Sequence, residues 1–347
     1  MKENESRLSE LARAARRRRL DRILVCGQAN IRALTGVNCD NAVLSVEPLT
    51  SSGNARATIY TDFRYVPMVH RVAPTLACRD LKRFRPSGAR IGYEPAIPHS
   101  KFLKLQKKAP KAEFVDVSKD IALLRAVKTP EEIAKIRRAE ALTCEIFNDA
   151  SACFKVGMSE RDMARVIQKM MIERADGESF PTIVCIGKNA AECHHEPDDT
   201  VWNGRECVLV DMGAKYDGMC GDLTRNVVAK PSRLYRKVYS LVLEANRAAI
   251  AAAKPGMTGK ALDKVARDVI AKGGFGKCFG HSLGHGVGYE VHEAPMASKK
   301  GRMVLEPGML VTIEPGIYLE GNLGVRIEDL ILITETGCEV LSDAADR

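Results

Sequence analysis

Residues 208–225 read VLVDMGAKYDGMCGDLTR, and this stretch is central to the fold prediction. Asp211 follows three apolar residues, a position where an ionised carboxylate is costly unless it is paired or bound to a cation. The turn around Lys215–Gly218 brings the chain back, so that Asp222 can face Asp211 across a hairpin. The side-chain period of two places Asp222 and Thr224 on one face of the returning strand. The stretch therefore predicts a buried pair of acids.

A second pair of acids follows the same plan near the C-terminus. Glu314 ends the apolar run LVTI, the dipeptide Pro315-Gly316 turns the chain, and Glu328 follows GVRI. The alternative is a pair of exposed hairpins whose acids have no role. The apolar residues beside each acid argue against that alternative, because they indicate burial.

Histidines and glycines alternate between the two acid pairs. The stretch GHSLGHGVGYEVHE, residues 280–293, contains His281, His285 and His292. Its glycines allow close backbone approach and leave room for a ligand. His194, in NAAECHHEP, is a further candidate for the wall of the same cavity. Four carboxylates and one imidazole suit two divalent cations, which can activate water for hydrolysis.

The distribution of helix and strand signals predicts two domains. Residues 1–122 alternate short strand-like runs with helical stretches, which indicates a small α/β domain. No glycine-rich phosphate loop opens its helices, so nucleotide binding has no support. Residues 123–347 contain the same order twice, two amphipathic helices followed by strands, which predicts an internally duplicated α+β domain. The predicted strands of the two halves are 182–187, 207–211, 220–228, 286–292, 309–314 and 325–334.

Composition limits the classes of function. No stretch is long and apolar enough for a membrane helix, and the first 20 residues lack the apolar core of a secretory signal, so we expect a cytoplasmic protein without a membrane partner. Eleven cysteines without a CxxC pair are expected to be free thiols.

The charge is concentrated in the first third of the chain. Residues 1–120 carry 23 Lys and Arg against 12 Asp and Glu, which is typical of a surface for nucleic acid or an anionic membrane. The densest run, Arg16 to Arg19, follows a helical pattern. We therefore favour a solvated helix end, where the helix dipole stabilises cations, over a nucleic-acid site.

These motifs resemble a known family. Residues 123–340 are similar to the catalytic domain of the metallopeptidases that include methionine aminopeptidase, aminopeptidase P, prolidase and creatinase, which share the pita-bread fold. The N-terminal third resembles the creatinase/prolidase-type domain. The resemblance is carried by SFPTIV, VLVDMGA, DGMCGDLTR, GHGVGYEVHE, MLVTIEPGIY and GVRIED, and in the N-terminal third by ILVCGQANIRALTGV, IYTDFRY and IGYE.

The resemblance implies a ligand set for two divalent ions. Asp222 and Glu328 would bridge the ions, Asp211 would bind one of them, and His285 with Glu314 would bind the other. Manganese is the first expectation, and cobalt, iron and zinc suit the same ligands.

The resemblance also implies catalytic roles. A hydroxide bridging the metals would attack the peptide carbonyl, with Glu314 as the general base. His292 and His194 match histidines that contact substrate and stabilise the tetrahedral intermediate. His281 matches a residue that lines the same pocket.

The choice within the family rests on two features, the extra N-terminal domain and Arg326. Both resemble the X-prolyl branch, where an arginine at this place orders the site or anchors the carboxylate end of a proline-containing peptide. Pairing of Arg326 with Asp329 or a surface acid is the alternative. We expect an X-Pro dipeptidase or aminopeptidase that forms a homodimer. Another aminopeptidase, a metal-independent creatinase-like enzyme and a nucleic-acid- or partner-binding protein of this fold are the alternatives.

Overall fold

The computed structural model describes residues 2–50 and 55–345. The chain divides into two compact units, residues 1–125 and 126–347. The sequence placed this boundary at residue 122, which lies inside a helix, Ser118–Ala126. The division therefore falls at the end of that helix.

A six-stranded mixed sheet forms the centre of the first unit, in the order β4-β3-β2-β1-β5-β6. Strand β2 pairs antiparallel with β1 and β3, and the other neighbours are parallel. The strands are β1 (Arg22–Val25), β2 (Ala42–Val46), β3 (Ala57–Thr61), β4 (Ala77–Asp80), β5 (Arg90–Tyr93) and β6 (Glu113–Asp116). The helices are α1 (Lys2–Arg17), α2 (Gln28–Thr35), α3 (Val66–Val72), α4 (His99–Lys108) and α5 (Ser118–Ala126).

The dense arginine run lies at the end of α1, as the sequence indicated. Arg16 and Arg17 occupy the last turn of the helix, whose apolar face is buried. Arg18 pairs with Asp120 at 2.6 Å. Cations at this end are stabilised by the helix dipole, which accounts for the run within the first unit.

The second unit contains two similar halves. Each half has two helices and a three-stranded antiparallel sheet, with the orders β11-β8-β7 and β14-β17-β18. The helices are α6 (Pro130–Ala152), α7 (Glu160–Arg174), α8 (Arg233–Ala252) and α9 (Gly259–Lys272). The strands of the first half are β7 (Ile183–Ile186), β8 (Val208–Met212), β9 (Lys215–Tyr216), β10 (Met219–Cys220) and β11 (Leu223–Val227). Those of the second are β12 (Gly284–Gly286), β13 (Glu293–Ala297), β14 (Leu310–Ile313), β15 (Gly316–Leu319), β16 (Leu323–Arg326), β17 (Asp329–Ile333) and β18 (Cys338–Val340).

Helix starts in the second unit follow from local sequence. Thr129 caps α6 and Ser159 caps α7, each through a reciprocal hydrogen-bond pair with the third helical residue. Ser232 and Thr258 cap α8 and α9 through their hydroxyl groups. The predicted internal duplication of the α+β domain is confirmed. Within the described residues, no helix has the length and apolar character needed to cross a membrane.

Three predicted strands are interrupted. The predicted strand 220–228 breaks at Asp222, because the Asp222 N–H donates to the Glu140 carboxylate at 2.8 Å and not to a neighbouring strand. The predicted strand 325–334 breaks before Glu328, whose N–H donates to the Thr224 carbonyl at 3.1 Å. The predicted strand 286–292 is mostly a turn between β12 and β13, where the N–H of Gly288 donates to the Glu290 carbonyl. Apolar alternation alone does not reveal such breaks.

The second unit contains a buried ion pair. Lys128 Nζ lies 2.8 Å from Glu293 Oε1, and both side chains are almost fully buried. We expect Lys128→Met to lower the free energy of unfolding by about 3–5 kcal/mol, because it removes the cation from a buried carboxylate. Chemical denaturation measures this loss. The matched control is Lys135→Met, which removes a partly exposed lysine paired with Glu131 and Asp217 and should cost less than about 1 kcal/mol. Equal losses in the two variants would contradict the prediction.

Candidate active site

One cavity of about 520 Å³ in the second unit brings the predicted site residues together. All nine line it: Asp211, Asp222, His285, Glu314, Glu328, His194, His281, His292 and Arg326. The lining also has an apolar part, formed by Phe180, Pro181, Ile183, Val291 and Met296. The cavity therefore contains a cluster of closely spaced polar side chains, and the rest of its wall is partly apolar.

The strands explain how the acids meet. Asp211 lies in β8 directly across from Thr224 of β11. Asp222 precedes Thr224 by two residues, and Glu314 and Glu328 follow the ends of β14 and β16. The interruptions of the predicted strands at Asp222 and before Glu328 therefore coincide with carboxylates that line the cavity. At these points the backbone does not make the regular hydrogen bonds of a strand.

His285 contacts the carboxylates through its Nε2 atom, because its Nδ1 atom bonds to the backbone. Its Nδ1 lies 3.2 Å from the carbonyl oxygen of Gly286. A carbonyl oxygen can only accept, so Nδ1 carries a proton and donates it. The other nitrogen, Nε2, lies 3.2 Å from Glu314 Oε1 and 3.8 Å from Asp222 Oδ2. A histidine held in this way is oriented as metal-ligating histidines are.

Repulsion among the carboxylates shifts their protonation. The pKa of Asp222 is raised well above its ordinary value by burial, and then by the charges of Glu328, Asp211 and Glu314. The pKa of Glu328 is likewise raised well above its ordinary value by burial and by Glu314 and Asp211. These acids therefore favour a state in which protons or cations neutralise them.

Glu314 differs from these two acids. Burial acts to raise its pKa, but the hydrogen bond from His285 and the charge of that imidazole outweigh burial, and the pKa of Glu314 is lowered. Thr312 adds a hydroxyl 3.3 Å from Glu314 Oε1 and accepts the N–H of His285 at 3.0 Å. The contacts hold Glu314 as an ionised carboxylate beside the imidazole.

The donor set fits divalent cations. Ligand atoms of Asp222, His285 and Glu328 all lie within 4.8 Å of one another. Asp211 Oδ1 is buried and has no hydrogen-bond partner among the residues that the structure describes, which is unusual for a carboxylate oxygen in a folded protein. Four carboxylates and one imidazole are oxygen-rich ligands suited to hard or borderline ions. A cation would supply the missing partner of Asp211 and reduce the repulsion among the acids.

Arg326 connects the two halves of the site from a buried position. Its Nη2 donates to Asp211 Oδ2 at 2.6 Å, its Nε to Thr224 Oγ1 at 3.0 Å, and its Nη1 to Tyr318 Oη at 2.9 Å. The alternative of pairing with a surface acid is wrong, because Arg326 is 3% exposed. Asp329 accepts a hydrogen bond from another buried arginine, Arg225, at 2.7 Å. These contacts order Asp211 within the site.

Tyr318 continues this network and was missed by the sequence analysis. Its hydroxyl lies 2.8 Å from His281 Nε2, while His281 Nδ1 lies 2.7 Å from the Ser282 carbonyl. Nδ1 must therefore be the donor, and Nε2 accepts from the tyrosine. Burial lowers the pKa of His281, which favours this neutral form. The available signals were the place of Tyr318 at the end of the motif MLVTIEPGIY and its position two residues after the Pro315-Gly316 turn.

Glu140 of α6 is a second residue that the sequence analysis missed. Its buried carboxylate accepts the N–H of Asp222 at 2.8 Å and the hydroxyl of Ser342 at 2.6 Å. Burial raises the pKa of Glu140 to about 7. A glutamate on the apolar face of α6, between Ile136 and Thr143, was the available signal. It anchors the backbone at the break that presents Asp222.

His292 and His194 complete the polar wall. The ring of His292 lies 4.3 Å from that of His285, centre to centre. Burial, followed by the charges of neighbouring groups, lowers the pKa of His292. His194 lines the cavity from the loop after β7. Imidazole N–H groups at these positions can donate hydrogen bonds to a bound molecule.

Comparison with known proteins identifies relatives along the whole chain. The profile of metallopeptidase family M24 matches residues 134–335, and that of the creatinase/prolidase N-terminal domain matches residues 7–127. The Xaa-Pro dipeptidase of Pyrococcus horikoshii is 40% identical over 258 residues, which cover 73% of this chain and 72% of that protein.

Solved structures agree with this assignment. The Xaa-Pro dipeptidase from Bacillus anthracis is similar with a TM-score of 0.91 and 30% identity, over 99% of each chain. The X-Pro aminopeptidase from Thermotoga maritima is similar with a TM-score of 0.82 and 30% identity, over 95% of this chain and 97% of that one. Because the family profile covers more than half of the sequence and the predicted metal ligands line one cavity, the chain belongs to metallopeptidase family M24.

Proposed function

We propose that this protein is a metal-dependent exopeptidase that hydrolyses the Xaa-Pro bond of short peptides, with Xaa-Pro dipeptides as its first expected substrates. The observation that carries the proposal is the gathering of four carboxylates and one imidazole around a single cavity. Relatives named Xaa-Pro dipeptidase and X-Pro aminopeptidase support the substrate class.

The ligands for two divalent ions are Asp211, Asp222, His285, Glu314 and Glu328, and manganese is the first metal to test. When bound, such ions acidify a coordinated water molecule and polarise the scissile carbonyl. The negative charge of the carboxylates and the lone pair of His285 Nε2 hold the cations.

The remaining chemistry belongs to side chains of the cavity. Glu314, which lines the cavity beside His285, accepts the proton of the attacking water. His292 and His194 donate hydrogen bonds to the carbonyl oxygen of the substrate as negative charge develops on it. Arg326 holds Asp211 in place through the 2.6 Å contact. The apolar part of the wall accommodates the proline ring.

Peptide hydrolysis tests the proposal directly. The purified protein is incubated with Xaa-Pro and Xaa-Pro-Yaa peptides, with added Mn(II), and in parallel with a chelator. Cleavage of the dipeptide alone, lost with the chelator, indicates a dipeptidase, and cleavage of the longer peptide indicates an aminopeptidase. No cleavage of either peptide by the metal-loaded protein contradicts the proposal. Activity that survives complete metal removal favours the creatinase-like alternative.

The state of the protein in the cell is part of the same proposal. We propose a homodimer in the cytoplasm that acts on peptides and not on nucleic acid. Light scattering coupled to gel filtration measures the mass of the particle, and a monomer contradicts the homodimer. Salt-sensitive binding of an oligonucleotide would instead support a role for the basic first unit.

Arg326 offers a test of site order that keeps the charge. We expect Arg326→Lys to lower kcat/KM by about 10- to 100-fold, because an ammonium group cannot contact Asp211, Thr224 and Tyr318 in one planar arrangement. A fall in kcat with lower metal affinity indicates that Arg326 orders the ligand Asp211. A rise in KM alone indicates instead that it anchors the carboxylate end of the substrate. Unchanged kinetics contradict both roles.

A further inference from the structure

One fully buried carboxylate has no part in the chemistry proposed above. Glu160 is the first residue of α7, and its side chain is 0% exposed. It contacts residues 186–198, which we call the His194 segment because His194 lies within it. A buried carboxylate is costly unless hydrogen bonds or charges compensate it, so the contacts of Glu160 need an explanation.

The carboxylate of Glu160 accepts four hydrogen bonds from the His194 segment. Oε1 accepts from the backbone N–H of Ile186 at 2.6 Å and from the side-chain amide of Asn189 at 2.9 Å. Oε2 contacts His195 Nε2 at 2.8 Å and accepts the N–H of Asp198 at 2.9 Å. One side chain therefore holds the start, the middle and the end of the segment.

The N-terminus of α7 strengthens the same attachment. The N–H of Glu160 donates to the Thr200 carbonyl at 3.1 Å, and the N–H of Arg161 donates to the Asp198 carbonyl at 3.2 Å. These are N–H groups of the first helical turn, which have no partner inside the helix. Backbone and side chain of the same turn thus bind the same stretch of chain.

His195 links Glu160 to the cavity, which His194 and His195 both line. Burial opposes protonation of His195, but the hydrogen bond with Glu160 and its charge outweigh burial, so the pKa of His195 is raised. His195 therefore donates to Glu160. Its neighbour in sequence, His194, lines the cavity that holds the predicted metal ligands. Fixing His195 holds the backbone next to His194, whose exposed side chain lines the cavity.

The His194 segment also packs closely against the strand that carries Arg326. A Cβ atom placed on Gly324 of β16 would lie 1.7 Å from the Ala190 carbonyl oxygen. This close packing limits the positions that the segment can take.

A second group of potential cation ligands lies at this anchor. Ligand atoms of Glu160, His195 and Asp198 are all within 4.8 Å of one another. Both oxygens of Glu160 are already occupied by two hydrogen bonds each. A cation would have to displace these donors. The contacts are therefore those of an anchor, and metal binding here becomes an outcome of the test.

We propose that Glu160 is a positioning residue for the peptidase reaction, acting by holding the His194 segment so that His194 faces the substrate. The inference rests on the proposed function, because it requires His194 to contact the substrate. Glutamine at position 160 offers one acceptor oxygen and an NH₂ group, so one pair of donors in the segment would meet another donor.

The experiment compares Glu160→Gln with the matched control Glu192→Gln in the metal-loaded full chain. Glu192 lies 3.4 Å from the other nitrogen of His195, but its side chain is 76% exposed. We expect Glu160→Gln to lower kcat/KM by about 10- to 100-fold, the size of effect that displacement of a catalytic group produces. We expect Glu192→Gln to stay within about twofold of wild type, since an exposed pair of this kind contributes little.

A double-mutant cycle separates positioning from general loss of structure. In the His194→Ala background, Glu160→Gln should lower kcat/KM by no more than about twofold, because the group through which it acts has gone. Equal effects in both backgrounds overturn the proposal. Loss of one bound metal ion per chain in Glu160→Gln also overturns the proposal. That result would indicate that Glu160, His195 and Asp198 bind a cation.

Hydrogen exchange supplies a readout that does not need activity. Amides of residues 186–198 should exchange faster in Glu160→Gln than in wild type, while the helices α8 and α9 keep their protection. Unchanged exchange overturns the proposal. If Glu160→Gln does not fold, Asn189→Ala removes one of the four hydrogen bonds without changing a residue that lines the cavity, and it is tested in the same cycle. If the wild type is inactive but the amides of the variant exchange faster, the proposed peptidase function is contradicted. The role of Glu160 in holding the His194 segment is then still supported.

Discussion

The Asp222→Asn variant is expected to lose metal-dependent hydrolysis while its metal-free form becomes more stable than the metal-free wild type. Asp222 lies among Glu328, Asp211 and Glu314, and burial together with these charges raises its pKa well above the ordinary value. An amide removes one negative charge from the cluster, and so relieves repulsion, but it is a poor ligand for a shared cation. Asp222 therefore lowers the stability of the metal-free protein although metal-dependent hydrolysis requires it.

Three measurements check this prediction. Metal content should fall, hydrolysis of Xaa-Pro should drop to the level of the chelated wild type, and the melting temperature of the metal-free variant should rise. A gain of 1 kcal/mol corresponds to roughly 2–4 °C for a unit of this size. Asp217→Asn is the matched control, because Asp217 lies at the exposed tip of the β9–β10 hairpin with φ 46°, a conformation that asparagine tolerates. Retained turnover in Asp222→Asn would refute the metal-ligand role.

The Glu314→Gln variant is expected to lose about 10²–10⁴-fold in kcat, the usual contribution of a general base. Glu314 follows the end of β14 and lines the cavity beside His285, and it is the carboxylate that we propose as the proton acceptor. Glutamine keeps the shape and one ligand oxygen but cannot take a proton. We expect KM to change much less than kcat.

Metal analysis decides how the loss in Glu314→Gln is interpreted. If both ions remain bound and kcat falls, proton transfer is the function that was removed. If the ions are lost together with activity, Glu314 is chiefly a ligand. Glu320→Gln, the same change at an exposed position between β15 and β16, is the matched control and should leave kcat unchanged. A Glu314→Gln variant with wild-type kcat contradicts both roles.

Local sequence predicted the helices of the second unit well. Helix α6 begins at Pro130, directly after the reciprocal Thr129 cap and before two glutamates. Caps and first-turn preferences act within a few residues, so the sequence contains the necessary information. The interruptions at Asp222 and before Glu328 could not be read in this way, because they depend on bonds to Glu140 and Thr224, which lie far away along the chain.

The sequence by itself determined the family and the chemical types gathered at the site, since carboxylates after apolar runs and a glycine-rich histidine motif are legible in the order of residues. Only the tertiary structure decided which atoms meet. It assigned Arg326 to Asp211 and Arg225 to Asp329, and it placed Tyr318, Glu140 and Glu160 behind the cavity wall. The physical reason is that ligand chemistry belongs to a single residue, whereas burial and hydrogen bonding depend on distances between residues that only folding brings together.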